Sequence, residues 1–133
     1  MFKVIICGSR DFTNYDLLKK KCDKILGKRK EKGEEIVIIS GCSRGADTLG
    51  EKYAKENGYE VLRFPADWEK YKKKAGYIRN EKMAEEANAC IAFLQEDKEC
   101  RGTKNMISIA RKKNLLIREI TEKIKKENGN TKI

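Results

Sequence analysis

The chain has 133 residues, the length of a single domain, and its apolar fraction of 39% with one proline is globular rather than disordered. Lys and Arg outnumber Asp and Glu by 31 to 21, for a net charge of +10, and histidine is absent. Missing histidine excludes Ser-His-Asp and Cys-His catalysis and any His-ligated zinc, and no apolar run reaches the ~18–20 residues of a membrane span.

In chain order, residues 3–7 form a short apolar run that ends at Gly8 and reads as a buried strand. Leu17, Leu18, Cys22, Ile25 and Leu26 recur at helical spacing, and Thr13 with Asp16 predicts a capping box that starts this helix. Gly33 ends it. Residues 35–39 give a second buried strand, stopped by Ser40-Gly41. The helix over 45–56 turns Ala46, Leu49, Tyr53 and Ala54 inward, and Gly58 stands where a C-cap is wanted. Residues 59–64 alternate as a third strand that Pro65 closes. A loop with at most one helical turn is predicted over 66–76, then a helix over 77–87, a strand over 89–94, a helix over 102–113 and a fifth strand over 115–120. The polar tail, 121–133, is expected as an appendage or short helix outside a domain spanning 1–120.

The order βαβαβαβαβ, with strands buried on both faces, predicts an α/β class: one Rossmann-like three-layer domain. Its five-stranded parallel sheet has order 3-2-1-4-5, with helices on both faces. Such a fold places its ligand crevice at the carboxyl ends of the strands, where the strand order reverses.

Three loops at those ends share one composition, glycine, a small hydroxyl residue and arginine, each followed by a helix. They are Gly8-Ser9-Arg10-Asp11, Ser40-Gly41-Cys42-Ser43-Arg44-Gly45-Ala46-Asp47 and Cys100-Arg101-Gly102-Thr103. Helix N-termini carry unpaired N–H groups and roughly half a positive charge, glycine admits a phosphate close to the backbone, and arginine adds donors. The plainer readings are that Gly41 and Gly45 make a tight turn, Asp47 caps its helix and Thr103 is an ordinary N-cap. Two further segments flank the crevice. Asp67 and Trp68 follow the third strand, and Trp68 either stacks on a base or covers the sheet as core. Arg79, Asn80 and Glu81 lie near the start of the helix before the fourth strand, where Arg79 and Asn80 reach a phosphate or ribose and Glu81 either acts chemically or faces the helix dipole.

The five cysteines, at 7, 22, 42, 90 and 100, form no Cys-x-x-Cys pair and read as free thiols. Cys7, Cys22 and Cys90 fit the core, and Cys42 and Cys100 sit in the binding loops. Residues 1–7 are too short an apolar run for a secretory leader, so a cytoplasmic location is the expectation. No metal and no cofactor is expected.

Gly8-Ser9-Arg10-Asp11, Ser40-Gly41-x-x-Arg44-Gly45-Ala46-Asp47, Pro65-Ala66-Asp67-Trp68, Ala75-Gly76-x-x-Arg79-Asn80-x-x-Met83 and Arg101-Gly102-Thr103 together resemble the SLOG superfamily, in particular its small stand-alone YspA-like branch. The resemblance covers about residues 2–120. It implies a Rossmann-like nucleotide-binding domain related to the Lonely guy phosphoribohydrolases and to DNA-processing protein A, with some relatives proposed as sensors of NAD- or ADP-ribose-derived nucleotides in bacterial and phage conflict systems. It also implies a homo-oligomer. Arg79 and Met83 match the phosphoribohydrolase pattern and Gly102-Thr103 matches part of its glycine loop, but Met106 occupies the position of the catalytic glutamate. Methionine moves no proton.

The leading expectation is therefore binding of a small nucleotide. Gly41, Ser43, Arg44 and Gly45 hold one phosphate; Gly8, Ser9, Arg10, Gly102 and Thr103 hold the sugar and a second phosphate; Arg79 pairs with an anionic oxygen. Asp67 or Asp11 accepts from ribose hydroxyls, and Trp68 or Phe12 faces the base. The alternative is a nucleotide hydrolase using Arg79, Glu81 or Asp47. Nucleic acid ranks third and as non-specific, because the lysine-rich helix over 19–32 carries no aromatic residue.

Overall fold

The structure, a computed structural model, describes residues 1–123. In chain order the elements are β1 (Phe2–Gly8), α1 (Tyr15–Glu31), β2 (Ile36–Ser40), α2 (Ala46–Asn57), β3 (Glu60–Arg63), α3 (Trp68–Tyr71), a 3-10 turn (Lys72–Lys74), α4 (Ala75–Glu86), β4 (Ala89–Gln95), α5 (Arg101–Lys112) and β5 (Leu116–Glu122). The strands form one parallel sheet in the order β3-β2-β1-β4-β5, the predicted doubly wound layout.

Alternation along β1 explains the three layers. Val4 and Ile6 point to one face and pack with Leu18, Cys22 and Leu26 of α1 and Tyr53 of α2. Ile5 and Cys7 point to the other and pack with Met83 of α4 and Met106, Ile107 and Ala110 of α5. Each fully buried large aliphatic side chain stabilises the fold by about 1.5–3 kcal/mol. The order of the strands brings the β1–α1, β2–α2 and β4–α5 loops to one edge.

Several boundaries differ from expectation for local reasons. Asn14, not Thr13, caps α1, its side chain accepting from Leu17 N–H at 3.0 Å. Asn is as good a cap as Ser or Thr, and the one-residue shift places Asp16 in the first turn. The helical turn within the predicted 66–76 loop is α3, which Asp67 caps by accepting from Lys70 N–H at 3.1 Å. α4 starts at Ala75, two residues before the predicted start, because a glycine in the first turn does not stop a helix that packs well beyond it. β5 runs through Thr121 and Glu122, past the expected domain limit at 120. It is an edge strand with a mostly exposed side-chain pattern, so its polar residues mimic a tail. The rest of the expected tail, from 124, lies outside the described residues. Phe12 is core: it is buried and stacks on Phe93 at 5.3 Å, so it faces no ligand.

Candidate functional site

A cleft of about 500 Å3 opens at the carboxyl edge of the sheet. Cys7, Met83 and Met106 line its apolar side. The β1–α1 loop contributes Gly8, Ser9, Arg10 and Asp11; the β2–α2 segment contributes Ser43 and Asp47; α3 and α4 contribute Trp68, Arg79 and Asn80; and the start of α5 contributes Arg101, Gly102 and Thr103. A second, shallower cleft of about 370 Å3 adjoins it, lined by Gly41, Cys42 and Arg44 with Pro65 and Ala66. Arg10, Ser43, Trp68 and Arg79 line both and so stand on the ridge between them. Gly45, Asp67 and Glu81 line neither. Glu81 is exposed and lies 3.9 Å from Lys113. Cys100 of the third loop lines the first cleft as well, and so do Lys73, Tyr77, Lys98 and Glu99, which were not singled out by sequence.

The loops of similar composition are used differently. In the β2–α2 loop the polar groups turn inward. Cys42 N–H donates to Ser40 Oγ at 3.1 Å, Ser43 N–H to Asp47 Oδ2 at 3.2 Å and Ala46 N–H to the Ser9 carbonyl at 3.2 Å. Gly45 has a φ of +82°, and a Cβ there would lie 2.3 Å from the Ser9 carbonyl oxygen. Its lack of a side chain therefore serves the crossing of two chain segments. Gly41 lies against Arg79 and Asp47, and Arg79 Nη1 donates to its carbonyl. The Arg44 guanidinium reaches back to the Arg10 carbonyl and to Asp11, each at 3.3 Å.

The first loop is mixed. Ser9 is buried, and its hydroxyl donates to Gln95 Oε1 at 2.5 Å while accepting from Asp11 N–H at 3.2 Å. The Arg10 guanidinium, by contrast, makes no hydrogen bond or ion pair among the described residues and faces both clefts.

At the start of α5 the backbone is bare. Cys100 precedes it in the left-handed region, φ +53°, and supplies no side-chain cap. The Thr103 hydroxyl has no hydrogen-bond partner among the described residues, and a Cβ on Gly102 would meet nothing within 4 Å. The first N–H groups of such a helix have no intrahelical acceptor and present partial positive charge. Asn80, itself buried, holds this end in place, donating to the Gly102 carbonyl at 3.3 Å and to Asn105 Oδ1 at 2.8 Å. Its own carbonyl accepts from Arg79 Nε at 3.0 Å, so Arg79 and Asn80 tie the β2 loop to α5.

Asp47 is the buried carboxyl on this cleft, and burial pushes its pKa up to about 6, against the downward pull of Ser43 N–H and of Arg79. Burial lowers the Arg79 pKa and Asp47 pulls it back up; a guanidinium in this setting keeps its charge. The exposed Asp11 is held below the usual carboxylate range by Arg44 and Lys98. The Cys7 thiol is raised well above its ordinary value by its contact with Cys90 and by burial, and burial also raises Cys42, so neither is an activated thiolate. Met106 is buried beside the cleft, where the phosphoribohydrolase pattern has glutamate.

A doubly wound parallel sheet with an arginine-lined crevice at its carboxyl edge defines a Rossmann-like domain. The sequence profile of the YspA, cpYpsA-related SLOG family (YAcAr) matches residues 2–71, and the chain belongs to this family. Membership carries a nucleotide-related binding or processing role. The chain is also similar to the Gene 61 protein of Mycobacterium phage D29, with 31% identity over 99 residues, covering 70% of this chain and 77% of the phage protein. Among the described residues no helix is long and apolar enough to cross a membrane.

Proposed function

We propose that the protein binds a small nucleotide or nucleotide-derived signal, of the ADP-ribose type, and senses or sequesters it. The observation that carries this reading is that the free Arg10 guanidinium, Arg79 and the uncapped start of α5 all line one cleft. In this reading Arg10 and the Gly102 and Thr103 amides take phosphate oxygens, Arg79 takes a second anionic oxygen, and the exposed Trp68 faces the base. Support for binding over turnover comes from Met106, which leaves the expected acid position without a proton carrier. Assembly as a homo-oligomer in the cytoplasm belongs to the same reading, and light scattering tests the assembly. Calorimetry of the protein against AMP, ADP-ribose, NAD, a cyclic nucleotide and inorganic phosphate tests the ligand class. Saturable binding of at least one nucleotide, weakened about tenfold or more by Arg79→Ala, is expected, since charge-assisted contacts are the strong ones. A folded protein that binds none of the panel contradicts it.

Asp47 favours a second reading, a nucleotide hydrolase. A carboxyl on the cleft with its pKa raised to about 6 can hold or release a proton near neutrality. Chromatography of nucleotides incubated with the protein separates the two: product formation that disappears in Asp47→Asn supports turnover, and intact nucleotide at enzyme-level concentrations supports binding alone.

A further inference from the structure

The cleft has one wall that a mononucleotide does not account for. Between Trp68 and Asn80 the chain carries five cations, Lys70, Lys72, Lys73, Lys74 and Arg79, against one carboxylate, Glu69. The side chains of Lys72, Lys73 and Lys74 make no hydrogen bond or ion pair among the described residues, all three are exposed, and Lys73 lines the cleft. Aromatic rings interleave with them. Trp68 is 52% exposed and Tyr77 50%, and both line the cleft together with Lys73. They belong to one surface: a Cβ on Gly76, the neighbour of Tyr77, would lie 3.6 Å from the Trp68 ring. Tyr71, in the same short helix as Trp68, is flanked by the ammonium groups of Lys70 at 5.0 Å and Lys82 at 5.9 Å.

Two half-exposed rings and the unpaired Lys73 share one cleft with the bare start of α5. Stacking platforms alternating with cations are the recognition device for single-stranded nucleic acid, where bases lie on rings and the backbone follows the positive charge. The lysine-rich α1 has the charge without the rings. A lipid surface is flat and does not enter a concave wall, and an acidic protein gains nothing specific from stacking.

We propose that this aromatic and lysine wall of α3, the 3-10 turn and α4 binds a single-stranded nucleic acid whose terminal phosphate occupies the cleft. The proposal rests on the nucleotide reading for the terminal group and adds the chain that follows it. Trp68 is the single tryptophan, so its fluorescence reports stacking directly.

The test titrates the full chain with 5′-phosphorylated decathymidylate, the same strand without its phosphate, phosphorylated decauridylate, thymidine monophosphate and anionic phosphatidylserine vesicles. The phosphorylated strands are expected to quench Trp68 and to bind about tenfold or more tightly than the mononucleotide, with affinity falling as salt rises. Removing the terminal phosphate weakens binding, and the DNA and RNA arms show which strand is preferred. The exposed Lys72→Ala/Lys74→Ala double variant is expected to lose about tenfold for the strand and to keep its mononucleotide affinity. Strands that bind no tighter than thymidine monophosphate, unquenched Trp68, an unaffected double variant, or equal quenching by vesicles each overturn the proposal. If the strands gain nothing over thymidine monophosphate, this inference fails; the nucleotide reading fails only if the calorimetric panel of AMP, ADP-ribose, NAD, cyclic nucleotide and phosphate also shows no binding.

Discussion

The β2–α2 loop and the start of α5 carry similar residues, glycine, arginine and a hydroxyl beside a helix, yet they do different work. The first is bonded to its own protein: the Cys42, Ser43 and Ala46 amides have internal acceptors, and Gly45 lies where the Ser9–Arg10 backbone crosses. Neither helix start has a side-chain cap, but the second also has a hydroxyl without a partner among the described residues and open space over Gly102. Composition identifies a turn that can approach an anion. Only the partners of its donors decide whether it still has anything to offer one.

Substitutions in the two loops should break differently. Gly45→Ala is expected to destabilise the fold by about 3 kcal/mol or more, because it combines a left-handed backbone with a clash against main chain that cannot yield. Urea unfolding measures it, and a variant as stable as wild type would mean that the crossing relaxes freely.

Asp47→Asn is next, with an effect that depends on pH. The folded protein holds the Asp47 proton up to about pH 6, whereas an unfolded chain releases it near 4. Between these values the folded state binds more protons, so this group's contribution to stability falls as pH rises through that window and stays lost above it. The asparagine variant is therefore expected to gain on wild type by about 2 kcal/mol at pH 7.5 and to lose that advantage near pH 4. A stability difference that is flat with pH would contradict the raised carboxyl.

Arg10→Ala probes the free donor. Its expected signature is an affinity loss of about tenfold for the nucleotide that calorimetry identifies, with unfolding stability unchanged within about 0.5 kcal/mol. A large stability loss would mean that Arg10 has a structural partner after all.

Gly102→Ala is the smallest and the sharpest counterpart to Gly45→Ala. It adds a methyl in open space within a helix, so stability should rise by about 0.5 kcal/mol or stay level. Nucleotide affinity should fall, because the methyl stands among the first amides of α5.

Much of the fold was legible because the strands are short apolar runs broken by Gly8, Ser40-Gly41 and Pro65, and because parallel crossovers allow few sheet orders. The end of β5 was hidden because an edge strand exposed along most of its length can be written in polar residues such as Thr121 and Glu122. In the site, the loops that reach the crevice follow from topology, so most of the singled-out residues line it. What periodicity cannot convey is orientation. Arg10 and Arg44 look equivalent in sequence, yet Arg44 folds back onto Asp11 while Arg10 faces the clefts. Asp67 looks like a ribose acceptor and instead caps α3. Lys73 and Tyr77 fell in a stretch divided between a loop and a helix start; the alternation of rings and lysines from Trp68 to Tyr77 was the signal that could have revealed them.

The central claim, that the start of α5 receives the anion while the start of α2 is already occupied by its own protein, is tested most directly by amide chemical shifts during a nucleotide titration. The account predicts that the Arg101, Gly102 and Thr103 amides move in a saturable, concentration-dependent way while those of Ser43 and Ala46, which have internal acceptors, stay nearly still. Movement concentrated at Ser43 and Ala46, with the α5 amides silent at saturation, would contradict it.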